Sequence, residues 1–354
     1  MQREHLFRTL IVGWCIGGGF WSGPVLCRGV HAAEPLQLRA DAVQRGLRWL
    51  VTAQQEDGSW GSRGFRGSVA VTAQGMLAVF SAGSTPAAGP HAESSRRAAS
   101  YLRRHGHDDG LIAANEAAAH GPMYGHAFAT LALAESWGEL ADPRLVDVLV
   151  RSSAFIAGTQ SQAGGWRYQP IPGDADISVT ASMLVALRGL VLAGVDVDAA
   201  TAEQAVGYIL ALQNEDGGFR YMQAAGPSAS PRTAAALFAL QLAGVQGAVI
   251  EQGFAWLDQH PIRLDDADGY ALYGLAASAS ARWQRRLATD DQATWTAWFE
   301  PVARSLVDRQ QEDGSWTDPS CPEYGTAAAI SILQTPAGLL PIVAAEGRRS
   351  GAPE

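Results

Sequence analysis

Two aspartates separated by one residue, Asp174 and Asp176, precede an apolar stretch that begins at Ile177. Carboxyl groups in such a position are candidates for a general acid or base. Asp176 also stands at the predicted start of a helix, where its carboxylate can cap free backbone amides and where the helix dipole would lower its pKa. The segment therefore predicts either a capping aspartate or an acid at the mouth of a cavity.

Two further candidates come from aligning six apolar, Ala-rich segments of the chain. His126 and Tyr270 occupy positions at which the other four segments carry threonine. The threonines are Thr72, Thr180, Thr233 and Thr326. A repeated threonine predicts a structural contact, so the two residues that depart from it are better functional candidates. His126 could pair with Asp176; the alternative is a core histidine bonded to the backbone.

Three more residues lie near the starts of the same segments and could line a pocket. They are Tyr124, Arg232 and Tyr324. Tyrosine combines an apolar ring with a polar hydroxyl, so it suits the wet edge of a pocket and also ordinary packing. We expect these side chains to bind a ligand if the mouth is a functional site.

A repeated pattern must position these side chains. Each copy consists of an aromatic and an aliphatic residue, any three residues, Gln, any three residues, Gly, any one residue, and a final aromatic residue. The pattern is complete at 49–60, 155–166 and 208–219, and lacks only the first aromatic at 305–316. Weaker copies begin at Tyr101 and Trp256. The copies recur at roughly 50 residues, a period typical of repeat architectures.

Each repeat predicts two helices. The first is amphipathic and ends at the Gly turn, because Gly accepts the left-handed conformation of a helix end. The second is apolar on most faces and must therefore be buried. Predicted first helices span 40–55, 143–160, 201–213 and 295–311, and predicted second helices span 69–82, 124–137, 178–193, 233–243, 270–280 and 325–333. Residues 36–345 are thus predicted to form an all-α, α6/α6 toroid with outer and inner helix layers.

Composition excludes some functions. The chain of 354 residues has a formal charge of −9 and contains no lysine, so no lysine Schiff base can form, and nucleic acid is not an expected partner. His105 and His107 alone are a weak metal signal. No metal or cofactor is therefore predicted.

The N-terminus has the layout of a secretory signal. Residues 1–32 combine Arg3 and Arg8, an apolar run and a small-residue site ending at Ala32. We expect cleavage after Ala32 and export to the periplasm or the extracellular space. The alternative is that the signal stays uncleaved and anchors the protein in the membrane. No later transmembrane span is predicted. Residues 346–354 are expected to form a flexible tail.

The repeats resemble the QW motifs of squalene and hopene cyclases, and the predicted ring resembles the terpenoid-cyclase and protein-prenyltransferase superfamily. That resemblance implies that the repeated Gln and aromatic residues are scaffold. Asp174, Asp176 and the pair Thr180-Ala181 resemble the acidic signature of class II terpene cyclases, with Ile177 in place of the third acid. In that family the middle aspartate protonates an alkene or epoxide, which implies the role of acid for Asp176. The zinc ligands of the prenyltransferases are not reproduced.

Three functions are compatible with these patterns. The first is an isoprenoid cyclase-like enzyme with an apolar cavity, Asp176 as proton donor and His126 as its partner. The second is a non-catalytic toroid that binds a lipid, a glycan or a protein at its mouth. The third is a polysaccharide-active enzyme on the same ring, which His126 and Tyr270 would serve. These alternatives leave open whether the protein is an enzyme.

Overall fold

The computed structural model describes residues 30–114, 121–140, 142–266 and 269–344. In these ranges the chain forms helices and no β-strand beyond two isolated bridges. The outer helices are α1 (Val30–Thr52), α3 (Ala92–Arg104), α5 (Pro143–Gly158), α7 (Ala199–Leu210), α9 (Ala248–Gln259) and α11 (Gln292–Asp308). The inner helices are α2 (Val69–Ser81), α4 (Met123–Glu135), α6 (Ile177–Leu192), α8 (Ser230–Leu242), α10 (Ala271–Thr289) and α12 (Pro322–Gln334). A short helix, α13 (Pro341–Ala344), follows them.

The six inner helices form a closed ring. Each packs against the next inner helix along the chain, and α12 packs against α2 to complete the circle. On the outside, α1 packs against both α11 and α12, so the first and last repeats meet. The predicted α6/α6 toroid is therefore confirmed.

Two predicted segments lie outside the described residues. These are most of the signal peptide, residues 1–32, and the whole tail, residues 346–354. Both stay predictions. Within the described ranges, no helix is long and apolar enough to cross a bilayer.

The distribution of apolar residues assigns each helix to its layer. In α3, Ala98 and Leu102 are fully buried, whereas Arg96 and Arg104 lie on the exposed side. In α4, by contrast, every residue from Gly125 to Glu135 except Phe128 is buried. A helix with one apolar stripe covers a core, and a helix buried on nearly all sides lies within it. The sequence pattern therefore places the helices in two concentric layers.

A glutamine links each of four turns to the next outer helix. Nε2 of Gln160 donates to the carbonyl of Gly164 in its own turn (2.7 Å) and to the carbonyl of Thr201 in α7 (2.9 Å). The equivalent bonds join Gln54 to Gly58 and Ser94, Gln213 to Gly217 and Val249, and Gln310 to Gly314 and Ala42. Because Ala42 belongs to α1, the last of these bonds closes the outer layer.

The aromatic residue after the turn joins the two layers. Trp166 is 1% exposed, and its Nε1 donates to the carbonyl of Ile156 in α5 (2.9 Å). Its backbone amide donates to Oγ1 of Thr180 in α6 (3.0 Å). One residue thus holds an outer helix, a turn and an inner helix together.

The C-terminal helix crosses one end of the ring. Glu135 of α4 accepts a hydrogen bond from the amide of Ile342 (2.9 Å), and Gln284 of α10 donates to the carbonyl of Val343 (2.7 Å). Helices α4 and α10 lie on opposite sides of the ring, three places apart in the order of packing. Helix α13 therefore spans the end that lies opposite the N-termini of the inner helices.

Replacing Trp166 with Ala is expected to destabilise the ring. The change removes a fully buried indole and its bond to Ile156, and we expect the free energy of unfolding to fall by about 3 to 5 kcal/mol. Chemical denaturation measures the loss. Trp137→Ala is the matched control, since Trp137 is 42% exposed. Equal losses in the two variants would contradict the joining role of Trp166.

Candidate active site

Asp176 lies at the mouth of the ring, which is the end where the inner helices begin. Its side chain is fully buried. Its backbone amide donates to the carbonyl of Trp166 (2.9 Å), and its Oδ1 accepts from the amides of Ser178 (2.9 Å) and Val179 (3.0 Å). Asp176 is therefore the N-cap of α6, which is one of the two roles expected for it.

The second oxygen of this carboxyl group, Oδ2, is in a different environment. It is buried and accepts no hydrogen bond from the described residues, and Nε of Arg167 lies 4.0 Å away. Burial raises the pKa of Asp176 to about 6, although the amides of Val179 and Ser178, the Tyr221 hydroxyl and Arg167 each lower it. The prediction of a lowered pKa is wrong, because the loss of water outweighs the capping amides. Asp176 can therefore hold a proton in mildly acidic solution.

The side chain of Asp174 interacts with Arg167. Its side chain is 57% exposed, and its Oδ2 forms an ion pair with Nη1 of Arg167. Arg167 consequently lies between an exposed carboxylate and a buried carboxyl group. Arg167 is not among the site residues predicted from the sequence, although it is next to Trp166.

Aromatic side chains surround the buried carboxyl group. The charge of Asp176 contributes, after burial, to a raised pKa for four tyrosine hydroxyls, those of Tyr124, Tyr208, Tyr221 and Tyr273. Tyr168 joins them through a hydrogen bond between its hydroxyl and that of Tyr221. The Tyr124 ring lies 6.2 Å from the Tyr168 ring and stacks on Phe128 at 6.1 Å. We call Tyr124, Phe128, Tyr168, Tyr221 and Tyr273 the aromatic cup; all five are partly exposed.

Four members of the cup, Phe128, Tyr168, Tyr221 and Tyr273, were missed from the sequence. Tyr168 and Tyr221 occupy the same place in their repeats, in the tripeptides Trp166-Arg167-Tyr168 and Phe219-Arg220-Tyr221. A comparison of the residues after each turn would therefore have found both. Tyr273 carries no such signal, because the fifth repeat has lost its turn pattern.

His126 takes the place of the repeated threonine. In four other repeats a threonine Oγ1, such as that of Thr180, accepts from the amide of the aromatic residue after the turn. Nδ1 of His126 accepts in the same way from the amide of Ile112 (3.1 Å), and its ring packs edge-on against Phe155. The ring is fully buried, and burial lowers its pKa to about 3, which keeps it neutral. These contacts support a structural role, and none of them is with Asp176.

The alignment of Tyr270 with the threonines is wrong. Helix α10 begins at Ala271, so Tyr270 directly precedes it. The Tyr270 carbonyl accepts from the amide of Gly274 (2.9 Å), as the Asp176 carbonyl accepts from Thr180 (3.1 Å). Tyr270 therefore corresponds to Asp176 in the repeat, and its side chain is 56% exposed at the mouth.

Arg232 and Tyr324 lie beside the cup. Arg232 donates to the carbonyls of Phe219 (3.2 Å) and Pro227 (2.8 Å), and its guanidinium lies 5.9 Å from the centre of the Tyr221 ring. It thereby holds the loop that carries Tyr221. Burial raises the pKa of Tyr324, with further contributions from neighbouring groups that include Tyr273.

One concave surface of the protein is polar. It is a groove of about 660 Å³ between the end of α9 and the segment before α8. Its lining includes Asn214, Asp216, Ser228, Trp256, His260 and Asp266. Asp216 accepts from Trp256 Nε1 (3.0 Å), and the His260 ring stacks on Trp256 at 4.0 Å. Its polar character contrasts with that of the aromatic cup.

No family model and no curated protein matches the sequence. Solved structures match it over most of its length. A variant of the type II terpene cyclase MstE from Scytonema, in complex with the product merosterolic acid A, is 17% identical at a TM-score of 0.60, over 87% of this chain and 99% of that one. A glycosidase in complex with glucose is 16% identical (TM-score 0.57; 88% and 100% covered), and an alpha-amylase from Clostridium perfringens is 10% identical (0.56; 88% and 99%). This likeness shows the fold, an all-α toroid that carries different chemistries.

The pH dependence of stability should report the buried acid. Because the folded pKa of Asp176 is raised to about 6, its contribution to stability is complete below the unfolded value and is lost as the pH rises through 6. The wild type should lose about 3 kcal/mol relative to Asp176→Asn between pH 3 and pH 7. Asparagine also caps helices, so the variant should fold.

Denaturation of both proteins across this pH range measures the difference, and the subtraction removes other titrating groups such as Glu135. Asp198→Asn is the matched control, because Asp198 caps α7 in an exposed position. A wild-type profile that runs parallel to that of Asp176→Asn would contradict the raised pKa.

The role of His126 can be separated from its size. Thr and Val have the same shape, but only Thr offers an acceptor to the Ile112 amide. His126→Val should therefore be less stable than His126→Thr by about 1 to 3 kcal/mol, the cost of leaving a buried amide unpaired. Equilibrium unfolding measures the difference, and equal stabilities would show that the bond to Ile112 contributes nothing.

Proposed function

We propose that the mouth of the ring binds an isoprenoid-like apolar molecule and that Asp176 protonates it, in the manner of a type II terpene cyclase. The main supporting observation is a buried carboxyl group whose Oδ2 accepts no hydrogen bond and whose charge acts on the neighbouring tyrosines Tyr124, Tyr221 and Tyr273. A proton donor needs an oxygen that can carry the proton, and Oδ2 accepts no hydrogen bond of ordinary geometry, while the Tyr221 hydroxyl is the neighbouring side-chain donor to this carboxyl group. Oδ1 cannot carry the proton, since it caps α6.

The surroundings of Asp176 suit a proton transfer that leaves a carboxylate behind. Before transfer, burial favours the neutral acid. After transfer, the proton forms a new bond to the ligand, and the resulting carboxylate keeps the two amide bonds of Ser178 and Val179 and lies near Arg167. Preorganised donors stabilise a charge that develops during a reaction.

The cup suits the cationic product of this step. Protonation of an alkene or epoxide creates a positive charge on the ligand, and the faces of aromatic rings attract cations. The cup supplies Phe128 and four tyrosines. The cyclised cation then loses a proton to a base. The overall reaction is an isomerisation of the ligand, and it requires no further reactant. His126 is not part of this mechanism, because its contacts lie elsewhere.

We also propose that the protein is exported, which the signal-like N-terminus supports. The ligand would then be an apolar molecule of the cell envelope or its surroundings. The alternative of a non-catalytic toroid predicts that the same cup binds an apolar ligand without changing it.

A second candidate function is the binding or cleavage of a polysaccharide in the polar groove. The groove carries two carboxylates, Asp216 and Asp266, and two of the similar structures are a glycosidase with glucose and an alpha-amylase. Asp216 is already engaged by Ser228 and Trp256. We therefore rank this function below the first.

Product formation by the purified protein tests both functions. The protein is incubated with squalene, shorter isoprenoid diphosphates and soluble α-glucans, and the products are identified by mass spectrometry. We expect an isoprenoid product whose rate falls about 100-fold or more in Asp176→Asn, the usual scale for loss of an acid. Asp198→Asn should keep the wild-type rate.

Three outcomes would contradict the first function. They are the absence of any isoprenoid product, an unchanged rate in Asp176→Asn, and release of sugars from α-glucan instead. Binding of an isoprenoid without conversion by both the wild type and Asp176→Asn would favour the non-catalytic toroid.

A further inference from the structure

Arg167 lies between two carboxyl groups that differ in exposure. Its Nη1 is paired with Asp174, which is 57% exposed, and its Nε lies 4.0 Å from Oδ2 of the fully buried Asp176. Among the described residues, both this Nε and this Oδ2 are buried without a hydrogen bond. A donor and an acceptor therefore face each other across a gap that is too long for a hydrogen bond.

The width of this gap affects the charge of Asp176, in addition to the effect of burial. If the guanidinium moved about 1 Å closer, its N–H could donate to Oδ2. A charge-assisted hydrogen bond of this kind is strong and would hold Asp176 as a carboxylate. At the observed separation Oδ2 can carry a proton.

Three contacts hold the guanidinium on the far side of the gap. They are the ion pair with Asp174, the interaction with the Tyr221 hydroxyl, and the face of the Tyr168 ring, 5.3 Å from the guanidinium carbon. Exposed ion pairs contribute little to stability. Such a pair can still hold a long side chain in one position, and here that side chain is Arg167.

We propose that Asp174 is a positioning residue, which binds Arg167 and so holds the guanidinium away from Asp176, allowing Asp176 to keep its proton. This role rests on the proposed function of Asp176 as an acid. It concerns a charge state, however, and can be measured without a substrate.

Other ionisable groups face Asp176 from neighbouring elements. They are Tyr221 before α8, Tyr124 of α4, Tyr208 of α7 and Tyr273 of α10. Burial raises the pKa of each of these tyrosines above its ordinary value, so all four stay neutral through the range in which Asp176 titrates. Arg167 and Asp174 are therefore the charged side chains through which this site can control Asp176.

Infrared titration of the purified protein tests this role. The carbonyl band of the protonated Asp176 side chain is identified as the band that Asp176→Asn removes, and its intensity is followed against pH. In Asp174→Asn we expect the pKa of Asp176 to fall by about one unit, a tenfold loss of proton affinity. Asp174→Glu, which keeps the charge, should stay close to the wild type.

The decisive comparison repeats the Asp174→Asn change in an Arg167→Gln background. Because the proposed effect passes through the guanidinium, Asp174→Asn should leave the pKa of Asp176 unchanged there. An equal fall in both backgrounds would overturn the proposal, since Asp174 would then act by its own charge. An unchanged pKa in Asp174→Asn alone would overturn it as well.

Controls separate this result from folding and from turnover. Asp174 is exposed, so its variants should fold, and far-UV circular dichroism checks each protein. If the double variant does not fold, the pKa of Asp176 in Asp174→Glu and in Asp174→Asn still shows whether the negative charge at position 174 is required. An unchanged pKa in both single variants would overturn the proposal. If the protein forms no isoprenoid product but shows the expected titrations, the proposed function is overturned and the positioning role of Asp174 is retained.

Discussion

The structure depends on the contact between its last repeat and its first. Gln310 donates to the carbonyl of Ala42, and α12 packs against α2, so neither layer has a free edge. An open array would leave apolar helix faces at both ends exposed to water. Closure also brings the N-termini of six inner helices to one mouth, where residues far apart in sequence become neighbours.

At that mouth a single residue serves both the scaffold and the candidate chemistry. Asp176 caps α6 with one oxygen and leaves the other buried and without a hydrogen bond. Capping favours the carboxylate and burial favours the acid, and here burial prevails. Strongly perturbed pKa values are enriched at functional sites, and this makes Asp176 a functional candidate.

The similar structures show that the toroid alone does not identify a reaction. A terpene cyclase and two glycan-related enzymes share this fold at 10–17% identity. A scaffold that hosts such different reactions does not specify one of them. The aromatic cup and the Arg167 contacts therefore carry more functional information than the toroid itself.

The sequence by itself determined the repeats, the two helix layers, the Gly turns and the capping position of Asp176, because these follow from local periodicity and from residues close along the chain. It failed at Tyr270, where a weak repeat hid the start of α10. At His126 it left two roles open, and the buried ring with its bond to the Ile112 amide supports the core histidine bonded to the backbone. Only the tertiary structure decided the pKa of Asp176, the pairing of Arg167 with Asp174 and the assembly of the cup. Burial and distances between separate repeats set these properties, and no local pattern in the sequence records them.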